Sequence, residues 1–109
     1  MPRKLPHYLR SERRRSGLTQ EDLAAVFDAN EFTLRRYERS ARLPPLETAL
    51  AYQAAFGIPV AELFAGTYKE IRSRIRRRAR RRMEGIASGR SPNHLARRKE
   101  SLQTIATRP

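Results

Sequence analysis

The stretch 18–64 constrains the fold more than any other part of the chain, because short helical patterns follow one another there with turn signals at nearly fixed offsets. Leu23, Ala24 and Phe27 recur at three- and four-residue spacing, the pattern breaks over Asp28, Ala29 and Asn30, and Leu34 with Tyr37 resumes it. Two short helices joined by a tight turn therefore share one small core.

The flanking signals extend the series. A first helix is expected over 5–16, with Leu5, Tyr8 and Leu9 facing the core and Gly17 ending it in a left-handed conformation. Thr19 is placed to cap a second helix over 20–27, with Asp22 completing a variant of the capping box. Asp28 takes the following turn, and Asn30 caps a third helix over 31–39. Pro44 and Pro45 precede a fourth helix over 46–56, closed by Gly57, and Pro59 opens a short fifth one with Val60, Leu63 and Phe64 returning to the core. The expected core comprises Leu23, Ala24, Phe27, Ala29, Leu34, Tyr37, Leu46, Leu50, Phe56, Ile58 and Leu63.

Charge separates this region from the C-terminal part of the chain. Residues 1–65 hold 10 Lys and Arg against 8 Asp and Glu, whereas residues 66–109 hold 14 against 3. Arg72, Arg74, Arg76, Arg77, Arg78, Arg80, Arg81 and Arg82 crowd one run, where like charges at helical neighbour spacing repel. A polyanion relieves that repulsion, and nucleic acid is the obvious one. Beneath the arginines, Tyr68, Ile71, Ile75, Ala79, Met83 and Ile86 form an apolar stripe at helical intervals. After Ala87, Ser88 and Gly89, the pair Ser91 and Pro92 signals another helix with Leu95, Leu102 and Ile105 on one edge. Such narrow stripes need a partner surface, so a helical hairpin is expected, with a second chain as one candidate partner.

Chemistry of other kinds finds little footing. The chain has no cysteine, so neither a disulfide framework nor a cysteine-based zinc site is available, and no glycine-rich phosphate loop appears. His7 and His94 stand apart, without paired acids or spaced ligands, and read as surface residues. No catalysis, metal or cofactor is expected. No window approaches the roughly 18 to 20 apolar residues that span a bilayer, which points to a protein of the cytoplasm.

The residues Leu18-Thr19-Gln20-Glu21-Asp22-Leu23-Ala24, Tyr37-Glu38-Arg39, Pro44, Leu46-Glu47-Thr48, Gly57-Ile58-Pro59 and Glu62-Leu63-Phe64 resemble, in order and register, the Xre/Cro-type helix-turn-helix family of repressor-like DNA-binding proteins. The resemblance covers about 5–64. With the basic helical hairpin that the apolar stripes predict over 66–109, it implies an all-α fold whose residues 1–65 form a lambda-repressor-like five-helix domain. It further implies a sequence-specific transcriptional regulator, most simply a repressor in a bacterial or phage setting, that binds double-stranded DNA as a homodimer. The helix 31–39 would lie in the major groove, and Glu31, Phe32, Arg35 and Arg36 occupy base-reading positions. Arginine can pair with guanine, Glu31 can accept from cytosine, and Phe32 can pack on a thymine methyl. Gln20, Thr33, Arg39 and Arg42 are expected at phosphates, and Arg72, Arg76, Arg77 and Arg80 are the candidate backbone contacts of the extension. The glutamate matching Glu38 pairs with an arginine in the family, here Arg13, in a structural ion pair.

The chain departs from the family pattern at Asp28 and Ser40, where glycine is usual, and at Gln53, where a small apolar residue is usual. Gln53 must turn outward or bond a buried polar group. Glu31 and Phe32 make an acidic, aromatic leading edge that also suits a protein, so an antitoxin- or coactivator-like adaptor is one alternative. A non-specific nucleic-acid binder driven by the basic extension is another.

Overall fold

The computed structural model describes residues 7–86 and 93–109, and every regular element among them is a helix. In order these are α1 (Leu9–Arg15), α2 (Gln20–Phe27), α3 (Glu31–Glu38), α4 (Leu46–Phe56), α5 (Val60–Leu63), α6 (Ala65–Ile86) and α7 (Asn93–Thr107). The chain is all-α, as its spacing predicts. It divides into two compact units, 1–68 and 69–109, with the division inside α6. The expectations for Leu5, for the turn at Ala87, Ser88 and Gly89, for Ser91 and Pro92, and for the side chains of His94 and Leu95 lie outside the described residues.

The first unit closes on Leu9, Leu23, Ala24, Leu34, Tyr37, Ala49, Tyr52, Leu63 and Phe64, with Leu18, Phe27, Phe56, Ile58 and Val60 packed around them. Tyr52 is the largest fully buried side chain, and its ring meets Phe27 edge-on at 5.0 Å between centroids, a favoured aromatic geometry. Several core expectations need correction. Leu46 and Leu50 are exposed, and Ala49 and Tyr52 are buried in their place. The cause is that α4, LETALAYQAAF, carries apolar residues nearly all round, so its period does not single out one face. Ala29 lies in the turn and is exposed, Tyr8 points outward just before α1, and His7 is half-buried rather than on the surface.

Three helix ends share one closure. At α1 the Leu18 amide donates to the Arg13 carbonyl, at α2 the Ala29 amide to Ala24, and at α3 the Ala41 amide to Arg36. This six-residue wrap requires a left-handed residue just before the donor. Gly17 supplies it at φ 78°, Asp28 at φ 50° and Ser40 at φ 59°. Only the first is a glycine. Ser40 has a compensating contact, since its hydroxyl lies 2.7 Å from His7 Nε2. Gln53 turns outward, and its carbonyl oxygen accepts the Val60 amide at 2.9 Å, capping the start of α5 that Pro59 cannot cap with a side chain.

In the second unit α7 runs back along α6. The Arg76 guanidinium donates through Nε to the Arg108 carbonyl at 2.9 Å, and Arg82 faces Arg97, Arg98, Ser101 and Leu102 across a shallow groove. Ala79, Ile86 and Ala106 are buried, with Met83, Leu102 and Ile105 partly covered. The early part of the stripe is open: Ile71 and Ile75 remain 38% and 46% exposed.

Candidate nucleic-acid interface

The candidate face is assembled from the ends of three helices. Thr19 starts α2: the Asp22 amide donates to its hydroxyl and the Thr19 amide donates to the Asp22 carboxylate, each at 3.0 Å. The bonds from Thr19 hold the Asp22 carboxyl below its ordinary value. This reciprocal box fixes where the amino end of α2 points, and with it Gln20. The Asn30 side chain accepts from the Phe32 and Thr33 amides and starts α3 just as sharply.

From the buried side, α3 is held by Glu38. Its carboxylate accepts from Arg13 Nε at 2.6 Å and Arg13 Nη2 at 2.9 Å, with side-chain exposures of 12% for Arg13 and 2% for Glu38. Arg13 Nη1 also donates to the Leu18 carbonyl at 3.0 Å, tying α1 to the start of the next segment. The Glu38 bonds raise the Arg13 guanidinium above its ordinary value, so the guanidinium stays charged.

Polar contacts continue outward from this pair. Gln20 Nε2 donates to Glu38 Oε1 at 3.2 Å, and Gln20 Oε1 accepts from Arg35 Nε at 2.7 Å. Arg35 Nη2 then donates to Glu31 Oε1 at 2.9 Å, one turn back on α3. Beside them Arg36 lies over the Phe32 ring, 6.0 Å from its centroid, a geometry that attracts a cation. The four residues expected to read bases thus lie on one face of α3 as two pairs, Glu31 with Arg35 and Phe32 with Arg36. Phe32 is 59% exposed.

Of the residues expected at phosphates, Gln20 and Thr33 are partly covered and Arg39 and Arg42 are exposed. Sequence reasoning missed Arg10. Together with Arg13, Gln20, Arg35, Glu38 and Arg39 it lines a concavity of about 300 Å³ at the edge of the face. The signal was present, because Arg10 precedes Arg13 by three residues and so shares its side of α1. In the second unit Arg77 and Arg80 are exposed, whereas Arg72 and Arg76 are partly covered and Arg76 is engaged with the Arg108 carbonyl.

Among the described residues no group of three or more His, Asp or Glu is placed to hold a metal ion, and no helix is long and apolar enough to cross a membrane. The site offers donors, acceptors and an aromatic edge on α3.

Comparison with known proteins agrees. No curated protein and no solved structure matches the chain. The family model described as a helix-turn-helix domain matches residues 5–64, which span α1 to α5. The chain belongs to the helix-turn-helix domain family, and residues 5–64 are its DNA-binding unit.

Proposed function

We propose that this protein is a sequence-specific transcriptional regulator that reads the major groove of double-stranded DNA with α3 and acts as a repressor by occluding a promoter. The observation that carries the proposal is the exposed face of α3, where Glu31, Phe32, Arg35 and Arg36 stand beside the capped amino end of α2. A helix laid in the groove meets base edges with these side chains, while the free amides of α2 approach a phosphate. Gln20, Thr33, Arg39 and Arg42 serve as backbone contacts around them. Arg77 and Arg80 add affinity that does not depend on sequence, with Arg72 and Arg76 as lesser contributors.

A homodimer suits the way this fold reads DNA, since two recognition helices reach half-sites one helical turn apart. The open part of the α6 stripe, Ile71 and Ile75, is the candidate added seam. The protein would act in the cytoplasm of a bacterial or phage-infected cell. Selection from a random-sequence duplex pool tests the reading: an inverted repeat supports it, and a pool without enrichment rejects it.

One observation favours a second reading. Phe32 is a large exposed aromatic at the leading edge of α3, which suits an adaptor that binds a protein partner. That reading requires partner binding to survive Arg35→Ala and Arg36→Ala.

A further inference from the structure

The relay behind α3 carries an inference that rests on the proposed DNA-reading function and narrows it. A carboxylate only accepts hydrogen bonds, so the buried Glu38 requires Gln20 to present its NH2 group inward. The Gln20 oxygen is thereby turned toward α3, where it accepts from Arg35 Nε. The orientation of this amide is thus set by chemistry on both sides. Arg35 gains a second fixed point at Glu31, while its Nη1 carries no bond among the described residues. Arg36, by contrast, rests on Phe32 through a ring contact alone among the described residues. One arginine on this face is held at two points and the other is not.

Holding a long side chain before binding removes part of the ordering cost that the complex would otherwise bear. It also fixes which groups stand side by side. The Glu31–Arg35 pair places a carboxylate acceptor next to guanidinium donors, both about half exposed. In the major groove a G·C pair offers guanine N7 and O6 as acceptors beside the cytosine N4 donor. An A·T pair at the same place sets the thymine O4 acceptor and methyl against the carboxylate. The same carboxylate repels the phosphate backbone and so weakens binding to irrelevant sequence.

We infer that the Glu31–Arg35 pair reads one G·C base pair in each half-site, and that Gln20 is a positioning residue which orients Arg35 by transmitting the constraint of the buried Glu38. Its second amide hydrogen remains available to a phosphate. A phosphate contact alone would lower affinity by the same factor on every sequence. A positioning residue acts differently, because its loss is felt at one base pair.

The test uses the full-length chain on the duplex that it selects, and on duplexes with each base pair changed in turn. Wild type should prefer G·C over A·T at one position of the half-site by about 10- to 100-fold. Arg35→Ala should remove that preference. Gln20→Ala, and Gln20→Met which keeps the stem without the amide, should reduce it several-fold while preferences elsewhere stay unchanged. Glu31→Gln should relax rejection of A·T at that position and tighten binding to scrambled DNA. Glu38 keeps both Arg13 bonds in the Gln20 variants, so thermal melting should show them folded. A selected site at which Gln20→Ala and Arg35→Ala lower affinity evenly across all base changes would overturn the inference and leave the function standing. A chain that selects no site overturns both.

Discussion

At the scale of the residue, two positions carry backbone strain that their neighbours explain. Asp28 and Ser40 adopt positive φ in the same helix closure that Gly17 makes without penalty. Among the described residues Asp28 has no side-chain bond to offset the cost, so Asp28→Gly should raise stability by about 1 kcal/mol in urea unfolding. Ser40→Gly should gain less, because it surrenders the contact with His7. That histidine is also the residue through which pH acts. Burial holds its imidazole below the ordinary 6.5, so the unfolded chain binds the proton more readily than the folded one. The contribution of neutral His7 is therefore complete above pH 6.5 and declines as pH falls below it toward the folded value. Melting between pH 7.5 and 5.5 should show this decline in wild type and a flatter profile in His7→Gln. Neither the His7 contact nor the Gln20 relay was legible from the sequence. Each joins side chains 15 or more positions apart, and spacing rules reach only a few residues.

At the scale of the element, legibility followed local chemistry. The bounds of α2 and α4, Gln20–Phe27 and Leu46–Phe56, match the expected spans because a capping box, a proline pair and a glycine mark them. The expected helix over 31–39 ends one residue earlier, at Glu38, and the helix expected over 5–16 is shorter, running from Leu9, after the non-helical His7 and Tyr8, to Arg15. Faces were harder than bounds. In α4 the apolar residues surround the axis, so only packing against Phe27, Phe56 and the rest of the unit buries Tyr52 and leaves Leu46 and Leu50 in water. Between elements the Arg13–Glu38 pair is the decisive polar contact, joining α1 to α3 with both side chains largely desolvated. Removing one partner strands the other charge. Glu38→Ala or Arg13→Ala should each cost about 3–5 kcal/mol by chemical denaturation, while replacing both with apolar residues of similar volume should cost less than either.

At the scale of the whole molecule, the proposed function gives the two parts of the chain different relations to a nucleic acid. The first unit is nearly balanced in charge and presents a shaped face, whereas 66–109 holds 14 basic residues against 3 acidic ones and presents exposed arginines on α6. Affinity from phosphates is general and falls with salt, and under the proposed function preference among sequences comes from α3. Replacing Arg77, Arg80 and Arg81 with glutamine should weaken binding to every duplex alike and flatten its dependence on salt. The sequence made this division visible, because charge counts need no tertiary contact to be read. The most direct test of the account is a titration of the selected duplex against scrambled DNA at several salt concentrations, with wild type, Arg35→Ala and Arg36→Ala. The account predicts that wild type binds the site at least roughly 10³-fold tighter than scrambled DNA, and that the α3 substitutions erode this ratio. Equal affinity for both duplexes, with equally steep salt dependence, would contradict it.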